Sequence, residues 1–384
     1  MKVSRRGANR LKDGHVWVYR SDIVAADGIA PGALVGVMDD RDKFLGTAFY
    51  SSASQIAIRM ISHDAIKDLD SLVRRRIEEA IAYRQRVAHD TNAFRIVFSE
   101  ADFLPGLIVD RYNDLLSLQV LTQAMDTEAV RRVIVSELSE RLKPEAIAER
   151  VDPRVRELEQ LPARSSGLLH GEKKSTMFSM NGVRFHYEAF EGQKTGAFLD
   201  QRENYAAAAQ YARGEALDVF CYHGAFALHL AQHCSRVIGV DSSRPALEVA
   251  DRNATLNGRE IEWIEANAFD LLRDYASAGQ QYDTIVLDPP AFAKSKSNLE
   301  TALRGYKELN LRALKMLRPG GILVTCSCSY HVSAMEFLNV VTQAALDVHR
   351  DPRILESRTQ AKDHPILLTV PETAYLKCVV LAVS

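Results

Sequence analysis

Over roughly residues 15–62, short runs of alternating apolar and polar positions are broken by Gly and Pro: HVWVYRSDIV, APGALVGVMD, FLGTAFYS and QIAIRMIS. Short strands at this spacing predict a small β-barrel within residues 1–67. The period then changes. Leu72, Val73, Ile77 and Ile81 recur at helical spacing inside residues 68–89. AFRIVFSE, GLIVDRYN and LLSLQVLTQ read as strands of a meander, and DTEAVRRVIVSELSERL as a helix with Asp126 as its N-cap. A polar stretch over 153–171 follows. TMFSMNGVRFHYEAF has the pattern of a hairpin turning at Asn181-Gly182.

From about residue 200 the rhythm becomes strand, helix, strand, helix. ALDVFCY, RVIGVD, IEWIEAN, DTIVLDPP and GGILVTCS are the apolar strands, with GAFALHLAQHC, RPALEVADRNATLNG and GYKELNLRALKML as helices between them. Such alternation predicts an α/β fold with a doubly wound, mainly parallel Rossmann-like sheet. The expected organisation is an N-terminal β-barrel (1–67), a central α+β domain (68–182) and the doubly wound domain (183–384).

A chain of 384 residues, 47% hydrophobic, is long enough for more than one core. The net charge of −2 means that nucleic-acid binding would need a local basic patch. One exists. MKVSRRGANRLK carries five basic residues and no acidic one, and His15, Trp17, Tyr19 and Arg20 follow. Positive charge interleaved with aromatic rings suits phosphate contact and base stacking. A basic tail followed by an ordinary strand would look the same. No apolar run reaches the ~18 residues that span a bilayer, and the basic N-terminus lacks the apolar segment of a secretory signal. A cytoplasmic protein is expected. Five cysteines, an odd number, do not suggest a disulfide framework.

In doubly wound folds ligands bind beyond the carboxyl ends of the strands. There the sequence places CYHGAF with Gly224, then Asp241, then ANAFD with Asn267, then Asp288 in DPPAF. Asp241 has the position of an acid that accepts a ribose diol, although an Asp at a strand end also serves as a helix cap. The first loop holds a single glycine, too few for a pyrophosphate cradle. Adenosine without phosphates, as in S-adenosylmethionine, suits it better. The last predicted strand ends in TCSCS. One residue between two thiols is too tight for the usual zinc spacing and is not the C-x-x-C redox motif, so no metal site is expected. Cys326 and Cys328 share one face of a strand, and Cys328 lies nearer the ligand end.

RLKDGHVWVYRSDI, EGQKTGAFLDQREN, LDVFCYHGAFALHLA, LDPPAFAKSK, GGILVTCSCSYHV and AKDHPILLTVPETAYLK together resemble the PUA-containing class I S-adenosylmethionine-dependent methyltransferases of bacterial large-subunit ribosomal RNA, in particular a branch making 5-methylcytosine. The resemblance spans nearly the whole chain. It implies an N-terminal PUA domain binding ribosomal RNA through Arg5, Arg6, Arg10, Lys12, His15, Trp17 and Arg20. It implies a methyltransferase domain whose S-adenosylmethionine pocket includes Lys194, Phe198, Asp200, Arg202, Asp218, Phe220, Gly224, Asp241, Asn267, Phe269 and Asp288. Cys328 would attack carbon 6 of cytosine, making carbon 5 nucleophilic, with Asp288 as an acid at N3. No membrane partner is implied, and a homodimer is compatible. The chain departs from the family at His223 and Ala225 in the first loop, at Tyr205 where Arg is common, and at Asn267 where an acid is usual. An amide oxygen at Asn267 would still accept from an adenine amine. Two other functions fit the same motifs: base-nitrogen methylation, and a non-catalytic RNA-binding ribosome-assembly factor.

Overall fold

The computed structural model describes residues 1–26, 28–191, 196–293 and 296–384. It forms two compact units. The first comprises Met1–Ser179, Tyr187–Leu199 and Lys362–Thr373; the second comprises Met180–His186, Asp200–Ala361 and Ala374–Ser384.

The N-terminal part of the first unit is a six-stranded sheet in the order Trp17–Tyr19, Ile56–Ser62, Phe44–Tyr50, Leu34–Met38, Lys2–Val3, Ile23–Ala25. The basic stretch is folded: Arg5–Lys12 is a helix, with Ser4 Oγ accepting from Gly7 N. Its apolar side, Ala8 and Leu11, packs with Val3, Val18 and Ile58. Arg and Lys stems, which leave their charges in water, obscured this short amphipathic pattern.

Beside it in the same unit lies a five-stranded sheet in the order Gly167–Gly171, Ala146–Glu149, Leu115–Val120, Leu107–Tyr112, Ala93–Phe98. Helices Leu69–Val87 and Glu128–Leu142 contribute Leu72, Val73, Ile77, Val130, Ile134 and Leu138 to its core. The polar 153–171 stretch holds a short helix, Pro153–Leu158, and the edge strand Gly167–Gly171. The cap of the second long helix is Thr127, whose Oγ1 accepts from Val130 N, and not Asp126. Asp126 is buried and binds Arg131 and Arg156 at 3.0 and 2.9 Å, because a carboxylate facing two guanidinium groups is better satisfied there than at a helix end.

Residues 362–373, assigned by pattern to the C-terminal domain, belong to the first unit. Asp363 Oδ2 accepts from Arg95 N at 2.8 Å, and the Asp363 carbonyl accepts from the buried Arg84 at 2.9 Å. Val370 enters the N-terminal core.

In the second unit α1 is Arg202–Tyr211. The sheet strands are β1 (Glu215–Val219), β2 (Arg236–Asp241), β3 (Glu262–Glu265), β4 (Tyr282–Leu287), β5 (Leu317–Ser327), β6 (Pro352–Arg358) and β7 (Lys377–Val383). Between them run α2 (Ala225–Leu230), α3 (Arg244–Leu256), α4 (Ala268–Ser277), α5 (Leu299–Met316) and α6 (Ala334–Asp347). The spatial order is β3-β2-β1-β4-β5-β7-β6. Strands β1 to β5 are parallel, as the alternation requires, while β7 runs antiparallel to both β5 and β6. Near-continuous apolar strands such as Ile285–Val286–Leu287 and Ile322–Leu323–Val324 are buried on both faces by the helices. The order reverses between β1 and β4, the switch point where ligands bind.

The asparagine and glycine of the expected hairpin turn both have positive φ, 50° at Asn181 and 80° at Gly182, the geometry of a tight two-residue loop. No helix among the described residues is long and apolar enough to cross a membrane.

Candidate active site

Register aligns the ligand ends of the parallel strands. Val219 pairs with Val240 on one side and Leu287 on the other, and Leu287 pairs with Thr325. The loops after β1, β2, β4 and β5 therefore leave the sheet side by side.

The β1 loop is shaped by backbone conformation. Phe220, Tyr222 and Gly224 have φ of 68°, 48° and 78°. Left-handed conformations at two non-glycine residues are held by cross-ties: Cys221 N donates to Val240 O and Tyr222 N to Asp241 Oδ2, both at 2.9 Å. Gly224 admits no side chain, since a Cβ there would sit 2.7 Å from the Trp263 ring.

Three carboxylates converge beside this loop. Asp218 is fully buried; its Oδ2 accepts from Ala227 N at 2.8 Å, and its Oδ1 has no partner among the described residues. Burial pushes Asp218 up to about 8 against that hydrogen bond, with the charges of Asp288 and Asp241 adding to the rise. Asp241 accepts from Tyr222 N and Ser243 N, one on each oxygen, and keeps a lone pair on each for a ligand. Asp288 N donates to Val219 O at 3.3 Å.

Asn267 caps α4: its Oδ1 accepts from Phe269 N and Asp270 N. That oxygen is thus committed to the helix, and the group Asn267 presents outward is its NH₂, a donor. An adenine ring nitrogen is a better match for it than the exocyclic amine. Phe269 is exposed and tilts against Phe292, 6.0 Å between ring centres. Phe292 packs in turn on Tyr306 at 4.9 Å, so the aromatic ring of DPPAF leans on the core.

Asp200 and Arg202 are both buried, which separates them from ordinary surface charges. Asp200 Oδ2 accepts from Tyr375 OH at 2.6 Å, and the Arg202 guanidinium lies 3.6 Å from Glu203. Phe198 belongs to the first unit. Lys194 lies outside the described residues.

Cys328 lies one residue past the end of β5 and is half-buried, whereas Cys326 is fully buried, opposite Cys378 on β7. Burial first, then the neighbouring Cys378 thiol, raises Cys326 well above the ordinary thiol range. The serines flanking Cys328 are fixed: Ser327 Oγ donates to Tyr306 OH at 3.0 Å, and Ser329 Oγ bonds the same hydroxyl at 2.9 Å. Ser329 Oγ also accepts from Ala293 N at 3.1 Å, and Cys328 Sγ faces the carbonyl of Pro289 at 3.8 Å. The thiol loop is therefore stitched to the loop that begins with Asp288.

Sequence reasoning missed Gln201, Tyr306 and Lys377, and noted Tyr205 only as a departure from the family pattern. Gln201 Nε2 donates to Asp288 Oδ1 at 3.0 Å, and its Oε1 accepts from Asn204 Nδ2 at 2.6 Å. Asn204 Oδ1 accepts in turn from Arg358 at 2.9 Å. Tyr205 is buried near Asp288, Asp200 and Asp218; burial and those charges raise its hydroxyl well above the phenol range. Among these, the QREN stretch carried a signal for Gln201 alone.

Of the basic-stretch residues, Arg6 pairs with Asp22 at 2.7 Å and Lys12 with Asp39 at 3.0 Å. His15 pairs with Glu372 and the Trp17 indole donates to Glu100. Arg20 donates to the carbonyls of Ser51 and Ser54. Arg10 lies over the Tyr19 ring, and Arg5 is exposed. With Arg6 and Lys12 paired to acids, Arg5 and Arg10 carry the remaining positive charge of the helix Arg5–Lys12.

Acidic groups at the carboxyl ends of β1, β2 and β4, flanking a topological switch point, form the frame of a doubly wound, adenosine-binding transferase. Family profiles match a PUA-like domain at residues 1–63 and an S-adenosylmethionine-dependent methyltransferase at 104–366. The chain belongs to this PUA-containing S-adenosylmethionine-dependent methyltransferase family. It is 39% identical over 379 residues to ribosomal RNA large subunit methyltransferase I of Tolumonas auensis, covering 96% of this chain and 95% of that protein. It is 36% identical over 375 residues to the protein of the same name from Yersinia pseudotuberculosis, covering 94% of each. Among solved structures, a proposed methyltransferase with bound S-adenosylhomocysteine superposes with a TM-score of 0.86 at 19% identity, over 100% of this chain and 99% of that one. A second, from Streptococcus mutans, gives 0.85 at 19% identity and the same coverage.

The described residues fit S-adenosylmethionine. The unpartnered buried Asp218 oxygen calls for a polar partner, and Asp241 retains acceptor capacity on each oxygen.

Proposed function

We propose that this protein methylates carbon 5 of a cytosine in large-subunit ribosomal RNA, through a covalent adduct between Cys328 and carbon 6, in the cytoplasm. The observation that carries this reading is the placement of Cys328: a half-buried thiol on a loop fixed at both flanking serines and bonded to the Asp288-Pro289-Pro290 turn. The names of the relatives support ribosomal RNA as substrate, and the charges of Arg5 and Arg10 on the Arg5–Lys12 helix, unpaired among the described residues, support RNA contact.

Asp218, Asp241, Asn267, Phe269 and the Phe220–Gly224 loop hold S-adenosylmethionine, with Asp200 and Arg202 at its edge. The bound cofactor supplies an electrophilic methyl group. The chain's own residues prepare the base. The Cys328 thiolate forms a bond to carbon 6, and the displaced ring electrons accumulate at carbon 5. Asp288, oriented by Gln201, shares a proton at N3 and draws off charge while the adduct forms. After carbon 5 is methylated, loss of its proton returns the electrons to the ring and expels the sulfur.

The test is nucleoside mass mapping of ribosomal RNA treated with the protein and with Cys328→Ala, alongside cofactor binding by calorimetry. The expected result is 5-methylcytosine from the unsubstituted protein, none from the variant, and equal cofactor affinity. Full turnover by Cys328→Ala would remove the adduct and leave base-nitrogen methylation. Absence of cofactor binding would leave RNA binding alone.

A further inference from the structure

β7 is the antiparallel strand inserted beside β5, and its first residue is Lys377, directly opposite Ser327. Its ammonium donates to the carbonyl of Ser329 at 2.6 Å and to that of Tyr375 at 2.9 Å. The side chain thus reaches across the strand end and ties down the residue immediately after Cys328. A lysine placed for a surface role would extend into water. This one is half-buried and spends two of its three donors on backbone oxygens.

We infer that Lys377 is a positioning residue for the Cys328 reaction: it fixes the Ser327–Ser329 loop and supplies the positive charge that favours the Cys328 thiolate. The inference rests on Cys328 being the nucleophile.

The groups around the pair are consistent with that role. Facing Lys377 are Cys328 on the β5 loop and Glu336 in the first turn of α6. Glu336 is occupied by the capping box of α6, accepting from Ser333 N at 2.8 Å. Facing Cys328 from α5 is Tyr306, whose hydroxyl is held neutral by burial. The Pro289 carbonyl at 3.8 Å accepts from the thiol and so favours its protonated form. A cation across the loop is the counterweight that favours the thiolate. Burial lowers Lys377 itself to about 8, partly offset by Cys328 and Glu336, so the ammonium form still dominates at pH 7.

The experiment is alkylation of the full chain with iodoacetamide across pH 6–10. Modification of the Cys328 peptide is followed by mass spectrometry, for the unsubstituted protein, Lys377→Met and Lys377→Arg. Single-turnover methylation of ribosomal RNA is measured on the same samples. The expected result is that Lys377→Met moves the alkylation midpoint of Cys328 up by about one pH unit, a roughly tenfold loss of thiolate at pH 7. Methylation at pH 7 should fall in parallel and recover at higher pH, and Lys377→Arg should restore most of the midpoint. A structural role alone would change rates at every pH without moving the midpoint, and that outcome overturns the inference. If Cys328→Ala retains turnover, the nucleophile assignment fails instead; if Cys328 is essential and the Lys377→Met midpoint is unmoved, only the role of Lys377 fails.

Discussion

Tyr306→Phe isolates the part of the site that fixes the thiol loop. The substitution removes one oxygen from a fully buried ring and leaves its packing against Phe292 and Phe337 in place. That oxygen bonds Ser327 Oγ and Ser329 Oγ, both on fully buried residues. Ser329 Oγ keeps the Ala293 N–H, and Ser327 Oγ keeps a long contact of 3.4 Å from Ser329 N. Each lost bond is worth about 1 kcal/mol net, and stranding a buried hydroxyl adds about 1 kcal/mol or more. The total is about 3 kcal/mol, or a fall of about 6–12 °C in the melting temperature. The loop that carries Cys328 loses its lateral tie, so single-turnover methylation should fall about tenfold or more while S-adenosylmethionine affinity stays within about twofold. Melting by calorimetry and turnover by radiolabel transfer measure both. A fall below 2 °C with full turnover would refute the reasoning, because the hydroxyl would then be holding nothing.

Gln201→Leu removes the donor to Asp288 and strands Asn204; methylation should drop about tenfold with the cofactor dissociation constant little changed, as read by steady-state kinetics and calorimetry. Asp218→Asn tests the raised carboxyl. A folded-state value above the unfolded one gives stability that is complete below about pH 4 and is lost as pH rises through about 8, so the melting temperature of the cofactor-free protein should fall between pH 5 and 9 relative to the variant, which lacks that titration. Gly224→Ala forces a side chain into a positive-φ position and against Trp263, and should weaken S-adenosylmethionine binding about tenfold or more by calorimetry. Arg5→Ala should reduce the salt dependence of RNA binding by about one phosphate contact, whereas Arg20→Ala, which loses its bonds to Ser51 and Ser54, should lower thermal stability instead.

The doubly wound sheet was legible because parallel strands buried on both faces are continuous apolar runs. The residues that end them, Asp241, Leu287 and Ser327, could be read from where each run stops. Less could be read where polar groups carry structure. The Arg5–Lys12 helix could not be told from a basic tail because its long basic side chains dominate the pattern. Asp126 looked like a cap because its partners, Arg131 and Arg156, are brought to it only by folding. Lys377 and Tyr306 could not be linked to Cys328 from the sequence, since a lone lysine or tyrosine carries no spacing signal. Their relation to the thiol depends on β7 inserting antiparallel beside β5 and on α5 lying across the strand ends.

The return of residues 362–373 to the first unit has a consequence for how the protein comes into being. Arg84 and the carbonyl of Asp363 that accepts from it are 279 residues apart. At typical synthesis rates that separation is on the order of 15 to 55 seconds of elongation. The first unit is therefore completed only once residues 362–373 have been made, long after its first sheet. Until then the buried guanidinium of Arg84 lacks one of its acceptors, and Val370 leaves a gap in the N-terminal core. A nascent chain truncated before residue 362 would expose both defects to chaperones and proteases, which makes the integrity of the first unit a report that synthesis has passed residue 373.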